Sequence, residues 1–421
     1  MEKITAIKGI KDILPLDSPV WHKVEMTARS IFECFGFCEI RVPIMEKTAL
    51  FQRSIGETTD IVEKEMYTFR DRNDELITLR PEATASVIRA YIEHNLLASD
   101  PVTKLFTIGP MFRRERPQKG RFRQFHQIDV ELFGDDTPAS DAEVIFMLMH
   151  FLQVLGVEKL SLEINSLGCK ACRPVFSKSV VDYLKGSEDA LCPDCQRRVY
   201  TNPLRVFDCK VESCNTIIAD APSILNYLCE ECSDHFSQVQ DYLRDLKLLF
   251  EINPRMVRGL DYYTKTAFEV KSGALGAQNS LAGGGRYDGL VSFLGGPDVP
   301  GIGFGIGMER LIDCLPPSDQ SSRQTDLFIA ALGARAQKIA FGLTQELRKK
   351  GISAAMDYTN KSLKSQMKRA DKLNSAYTLI FGDKEMDEAR VELRDMNTKN
   401  QKSLPLDHLL EDLTNIFKKR E

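Results

Sequence analysis

The sequence holds no apolar run long enough to cross a bilayer. Its longest nearly apolar stretch, Val144 to Val157, is interrupted by His150 and Gln153, whereas a spanning helix takes about 20 apolar residues. The opening residues, MEKITAIKGIKD, alternate charge with apolar character and lack the hydrophobic segment of a secretory signal. No membrane role is indicated and a cytoplasmic protein is expected. An excess of one charge is missing too. With 56 Lys and Arg against 60 Asp and Glu the formal net charge is −4, which excludes a histone-like polycation and confines any nucleic-acid contact to a local patch. Charged tails, internal repeats and low-complexity tracts are absent as well, so most of the chain is expected to be ordered.

What remains is the composition of an ordinary globular protein, 43% hydrophobic and 28% charged over 421 residues. That length has room for two or three cores. Three segments separate by pattern. Residues 1–318 combine helical periodicity near 19–35 and 139–155 with strand-like runs at 105–109, 124–134 and 267–272. The grouping predicts an α+β fold built on an antiparallel sheet. Residues 167–250 interrupt it with a cysteine-rich, mostly helical segment that reads as an inserted domain. Residues 319–325 read as a linker. From 326 to 421, strands and helices alternate as in a small α/β domain.

Eight of the 11 cysteines fall between Cys169 and Cys232. Cys169 with Cys172, Cys192 with Cys195, and Cys229 with Cys232 are CxxC pairs, and Cys209 and Cys214 form a wider one. Without an export signal, such spacing points to thiols or metal before disulfides. Eight thiolates suffice for two structural zinc sites. The alternative, that the helices fold without metal, stays open from spacing alone. Cys34, Cys38 and Cys314 are expected as buried small hydrophobes.

Residues 112–134, FRRERPQKGRFRQFHQIDVELFG, carry the strongest chemical signal. Two strand-like arms flank a Pro117 to Gly120 turn. Between 113 and 123, six cations (Arg113, Arg114, Arg116, Lys119, Arg121, Arg123) stand against the single acid Glu115, a composition suited to phosphate. In the second arm, a period of two puts Arg123, Phe125, Gln127, Asp129 and Glu131 on one face, with Ile128, Val130 and Leu132 on the other. At about 3.3 Å per residue, Gln127 and Glu131 lie roughly 13 Å apart, the span of a small polar ligand. From pattern alone, a solvated hairpin face explains these residues equally well.

Four further stretches are weak singly. RGLDYY (258–263) sets an arginine fork and two phenols close together, which suits a carboxylate and an aromatic ring; a salt-bridged arginine beside structural aromatics fits as well. GGRYDGL (284–290) follows a glycine run. GIGFGIGMERL (301–311) alternates Gly303, Gly305 and Gly307 before a predicted helix carrying Arg310, and side chains missing from a strand let a flat ligand lie on it. In ITLRPEATA (77–85), Pro81 suits a first helical position and Glu82 a first turn, where a dipole-stabilising glutamate is the simpler account.

Taken together and in order, these stretches resemble the histidyl-tRNA synthetase family, from near residue 5 to the end. GFCEIRVPIMEKTALF (36–51) resembles the class II dimer-interface motif, FRRER the second motif through Arg113 and Glu115, and GIGFGIGMERL the third through Arg310. RGLDYY and GGRYDGL are particular to the histidine enzyme. The resemblance implies a class II catalytic core with a helical insertion and a C-terminal anticodon-binding domain. It implies a homodimer that uses ATP and Mg2+ to form histidyl-adenylate, then transfers histidine to its tRNA.

Residue by residue, the resemblance implies that Glu82, Thr84 and Gln127 receive the substrate amino group, while Glu131 and Tyr263 read the imidazole. Tyr262 and Tyr287 would shape that pocket. Arg258 would bridge the histidine carboxylate and the α-phosphate, with Arg113 also on the phosphate and both arginines catalytic. Glu115, Phe125 and Arg310 would complete the ATP site, and Arg116, Lys119, Arg121 and Arg123 would meet the tRNA acceptor end. No editing domain is expected, because a site pairing with imidazole nitrogens rejects apolar competitors strongly. A non-catalytic regulatory relative is the main rival, but such relatives usually lack the C-terminal domain and erode the signatures that this chain keeps.

Overall fold

The computed structural model describes residues 3–56, 59, 61–117, 120–275, 279–316 and 325–418. The helix Ser18–Cys34 buries Val24, Ala28, Ile31 and Phe32, an i, i+4, i+7, i+8 stripe. The helix Pro138–Val154 buries Val144, Ile145, Met147, Leu148, Met149, Phe151 and Leu152, and leaves Glu143, Phe146, His150 and Gln153 along one partly exposed stripe. It lies in one hydrophobic cluster with Ser18–Cys34, with Phe236, Val239 and Leu243 of the helix Glu230–Asp245, and with the inner face of a large sheet. Proline at its start and the Thr137 hydroxyl, which accepts from Ser140 N–H, fix where it begins.

The strands in chain order are β1 (Cys38–Glu39), β2 (Met45–Lys47), β3 (Tyr67–Arg70), β4 (Leu76–Leu79), β5 (Thr103–Phe112) and β6 (Gln124–Phe133). There follow β7 (Leu160–Ser166), β8 (Glu251–Ile252), β9 (Thr264–Ser272), β10 (Ser280–Arg286) and β11 (Gly301–Gly307). Eight of them form one sheet in the order β1-β5-β6-β11-β10-β9-β7-β8. It is antiparallel except at its two ends, where β1 joins β5 and β8 joins β7 in parallel. Ile128, Val130 and Leu132 of β6 face the core, leaving Gln127, Asp129 and Glu131 on the opposite face, as the period of two requires.

Two compact units divide the chain, Met1–Pro316 and Pro317–Glu421. Of the expected linker 319–325, only Thr325 lies within the described residues. The second unit has a five-stranded sheet, β12 (Leu327–Ala331), β13 (Ala354–Met356), β14 (Tyr377–Phe381), β15 (Arg390–Asp395) and β16 (Gln401–Pro405). Its order is β13-β12-β14-β15-β16, parallel across the first three and antiparallel beyond β14. β16 was not expected. Its sequence QKSLP buries Leu404 alone, and pairing with β15 rather than its own pattern makes it a strand.

The segment 167–250 divides between two cores. Phe176, Val180, Leu184, Val199 and Val206 make a small cluster of their own together with Cys195, Cys209 and Cys214. The helix Glu230–Asp245 instead joins the main core. Two cysteine expectations are corrected: Cys34 and Cys38 are exposed, and only Cys314 is buried. Cys34 falls off the buried stripe of its helix, and Cys38 points away from the side on which its neighbour Phe37 is buried. Among the described residues no helix is long and apolar enough to cross a membrane.

Candidate active site

Strand β11 lies against β6 with Gly303 opposite Glu131, Gly305 opposite Asp129 and Gly307 opposite Gln127. A Cβ on Gly303 would strike the Glu131 carboxylate and the Val130 carbonyl, and one on Gly305 would lie 2.8 Å from Asp129 Oδ1. On β10, a Cβ on Gly283 would occupy the place of the Arg258 guanidinium. These glycines make room for charged side chains of the protein itself. Gly307 differs: nothing lies within 4 Å of its Cβ position. The expectation of a bare strand for a flat ligand is therefore corrected at Gly303 and Gly305.

A cavity of about 220 Å³ opens above this floor. Glu82, Thr84, Gln127 and Glu131 line it from β6 and the start of the helix Thr84–Glu93; Arg258, Tyr262, Tyr263 and Tyr287 line it from the segments beyond. The helix begins at Thr84, so Glu82 precedes it rather than sitting in its first turn. Glu82 Oε1 accepts from Ala85 N–H at 3.1 Å, a capping bond. The Tyr287 hydroxyl donates to Glu131. The rings of Tyr262 and Tyr287 meet edge-on at 5.8 Å, and the Arg258 guanidinium stands 5.8 Å over the Tyr263 ring. Arg258 Nη1 is 3.4 Å from Glu269.

Asp129 lines the same cavity. Its place on the polar face of β6 was legible in the sequence, but no role was assigned to it. Burial, then the nearby Glu82 charge, push its carboxyl up to about 8. Burial raises Glu82 as well, and holds Glu131 well above the usual carboxylate range despite the bonds from Thr84 and Tyr287. Three acceptors in this cavity, Glu82 Oε2, Gln127 Oε1 and Asp129 Oδ2, are buried with no hydrogen-bond partner. Buried acceptors left unmet are unfavourable. A cationic donor group supplies the hydrogen bonds and the positive charge that such a set of acceptors lacks.

Arg113 joins this cavity to a second one of about 180 Å³. It donates to the Pro81 carbonyl at 2.8 Å, and its guanidinium lies 5.2 Å over the Phe125 ring. Glu115, Phe125, Gly307 and Arg310 line the second cavity. Arg310 is held by the carbonyls of Ser280 at 2.7 Å and Gly120 at 3.2 Å. All four residues expected at the ATP site thus meet in one place. Three of the four residues expected at the tRNA end lie among the described residues. Arg116 and Arg121 are exposed, Arg121 standing 3.3 Å from Glu115. Arg123 is half-buried and donates to the Glu115 and Lys8 carbonyls. Lys119 lies outside the described residues.

Two residues missed by sequence reasoning hold the frame. Arg80, buried, donates at 2.9 Å to the carbonyls of Pro110 and of Val42. Arg286, fully buried in the GGRYDGL stretch, pairs with Asp141, which His235 also contacts at 2.8 Å. Both are arginines at or just beyond a strand end, which sequence alone does not distinguish from a ligand contact.

The eight paired cysteines converge in two groups, Cys169, Cys172, Cys229 and Cys232, and Cys192, Cys195, Cys209 and Cys214, with the sulfurs of each within 4.8 Å of one another. Sγ separations of 3.6 Å (Cys169 to Cys172), 3.9 Å (Cys169 to Cys229) and 3.8 Å (Cys192 to Cys209) are far from disulfide bonding. Tetrahedral zinc with bonds of about 2.3 Å sets its sulfurs roughly 3.8 Å apart. The N–H groups of Cys229 and Cys192 point at sulfurs of Cys172 and Cys214, at 3.1 and 3.2 Å, as amides do around metal thiolates.

Residues 9–170 and 203–311 match the family described as histidyl-tRNA synthetase, and 326–416 match the anticodon binding domain. The chain belongs to the histidyl-tRNA synthetase family. Among curated synthetases it is 55% identical to the histidine--tRNA ligase of Desulfosudis oleivorans over 95% of both chains, and 53% identical to that of Syntrophotalea carbinolica over 96% of both. It also superposes on the crystal structure of apo Staphylococcus aureus histidyl-tRNA synthetase with a TM-score of 0.83, 38% identity, and coverage of 98% of this chain and 100% of that one. The expected α+β class II core with its anticodon-binding domain is borne out.

Proposed function

We propose that this chain is a histidine--tRNA ligase, converting ATP, L-histidine and tRNA(His) to histidyl-tRNA, AMP and diphosphate. The observation that carries this reading is the cavity in which Glu82, Gln127 and Asp129 offer unmet acceptors beside Arg258 and three tyrosines. The ammonium of histidine sits among those acceptors with Thr84, and Glu131 and Tyr263 pair with the imidazole. Tyr262 and Tyr287 close the walls. Arg258 takes the histidine carboxylate, and Arg113, shared by both cavities, takes the α-phosphate.

In the first step a carboxylate oxygen attacks α-phosphorus and diphosphate departs. No protein nucleophile is needed; two permanently cationic arginines bring the two anions together, and catalysis is positioning plus charge neutralisation. Adenine lies between Phe125 and Arg310. Glu115 and Glu309 are the carboxylates of that cavity and would hold hydrated Mg2+ together with the phosphates, whose departing charge the ion would screen. In the second step the terminal ribose hydroxyl of tRNA attacks the acyl carbonyl and AMP leaves. Arg116, Lys119, Arg121 and Arg123 belong to the loop that meets the acceptor end.

Three finer assignments accompany this reading. Cys169, Cys172, Cys229 and Cys232 form one structural zinc site and Cys192, Cys195, Cys209 and Cys214 another, supported by the sulfur spacing. The chain works as a cytoplasmic homodimer, and the exposed Ile44 and Met45 in the first class II motif suit a covered face. Residues 1–318 are the catalytic domain, interrupted by the 167–250 insertion, and 326–421 the anticodon-binding domain. Histidine-dependent exchange of diphosphate into ATP tests the central reading. Exchange with histidine alone among the amino acids supports it; a well-folded protein without exchange overturns it.

A further inference from the structure

Each cysteine cluster is tied by an arginine to the 258–263 segment that lines the amino-acid cavity. Arg173 follows Cys172 directly. Its guanidinium donates to the carbonyl of Tyr263 and, at 3.2 Å, to that of Leu167. Around this contact, Leu167 N–H donates to the Lys265 carbonyl at 2.6 Å and Lys265 N–H to the Gly168 carbonyl at 3.0 Å. Lys265 Nζ lies 2.9 Å from Glu231, the neighbour of Cys232. Gly168 has φ +62°, and a Cβ there would lie 2.7 Å from Cys172 Cβ, so only glycine fits this junction.

The second cluster has its own strut. Arg205 lies in the turn Pro203–Asp208 that leads into Cys209. Its Nε is 3.0 Å from Asp261 Oδ1 and its Nη2 is 2.6 Å from the Gly259 carbonyl. The family match is interrupted over 171–202, the stretch that contains Cys172, Arg173, Cys192 and Cys195. Each cluster thus draws at least one cysteine from outside the matched residues, the others lying within them.

We infer that zinc bound in the two four-cysteine sites braces the histidine pocket, with Arg173 and Arg205 as positioning residues that transmit the fixed geometry of each site to Tyr263, Asp261 and Gly259. The inference rests on the reading of 258–263 as a histidine-binding segment. A zinc-thiolate site holds its four chain segments together far more rigidly than four free thiols do. A backbone fixed at both struts keeps the Tyr263 hydroxyl and the Arg258 fork in register with the ligand, and displacement by about an ångström is expensive for a positioned group.

Zinc content, diphosphate exchange and hydrogen exchange of 258–263 test this on the full chain purified without chelator. The unmodified protein holds two zinc ions. Arg205→Ala, which removes no ligand, keeps both, raises KM for histidine roughly tenfold as loss of a charge-assisted bond predicts, and leaves KM for ATP unchanged. Arg205→Lys recovers part of the loss. Cys214→Ser loses one zinc and gives the same histidine-specific defect, and adding Arg205→Ala to it changes nothing further. In both single variants the amides of 258–263 exchange faster. A zinc-free protein with normal histidine KM overturns the inference, as does an unchanged histidine KM in Arg205→Ala. Should Cys214→Ser fail to fold, Arg205→Ala decides alone. Glu131→Gln is the control on the pocket itself: an unchanged histidine KM there shows that the pocket assignment, and not the brace, has failed.

Discussion

Asp129 shows how one residue sets both stability and ligand recognition. Burial, then the neighbouring Glu82 charge, push its carboxyl up to about 8 from an ordinary 3.8. Between those values the unfolded chain binds fewer protons than the folded one, so stability falls as pH rises through that window. Asp129→Asn should therefore raise Tm at pH 7–8, measured by calorimetry, while weakening histidine binding by about 1.5–3 kcal/mol, the usual contribution of a hydrogen bond to a charged group. Burial opposes ionisation, whereas an arriving ammonium favours it. Histidine binding at pH 7 should accordingly release protons, seen as a buffer-dependent calorimetric enthalpy that shrinks in Asp129→Asn. Identical enthalpies across buffers would mean that the ammonium does not reach Asp129. For Tyr263→Phe, removing a hydroxyl from a site built to pair should raise KM for histidine about tenfold and hardly move that for ATP. Equal loss of both would place the imidazole elsewhere.

Elements explain why some of this was legible and some was not. The alternation in β6 was readable because one face is core and the other polar, and the structure puts Ile128, Val130 and Leu132 in the core and Glu131 in the cavity. The glycines of β11 had no such signal, since an absent side chain does not reveal what fills its place. Gly303 and Gly307 should thus respond differently to alanine. At Gly303 the new methyl meets Glu131 and a backbone carbonyl that cannot move without breaking the β6–β11 ladder, so Gly303→Ala should destabilise by about 1–3 kcal/mol and reduce histidine binding. At Gly307, with open space beside it in the second cavity, the fold should survive and KM for ATP should rise. Denaturant unfolding with the two KM values separates the cases. Arg286 was hidden for the opposite reason. It stood inside a family signature, yet its partner Asp141 is distant in sequence, and only the folded helix Pro138–Val154 brings them together.

At the scale of the molecule, the chain comprises two units whose hydrophobic clusters share no residue among those described. The alternating pattern after 326 announced the second unit, whereas β16 escaped notice because an edge strand borrows its order from its neighbour. Every residue lining the two cavities belongs to Met1–Pro316, so adenylate formation is expected to proceed without the second unit. Transfer to tRNA is different, because residues 326–416 match an anticodon binding domain and each lost 1.4 kcal/mol of binding lowers affinity about tenfold. A chain ending at Pro316 should keep histidine-dependent diphosphate exchange near that of the full protein, while charging of tRNA falls by roughly tenfold or more through KM for tRNA. The two assays, run on one preparation, separate the steps. Exchange lost along with charging would mean that the second unit supports the catalytic core itself, and the division of labour between the units would have to be abandoned.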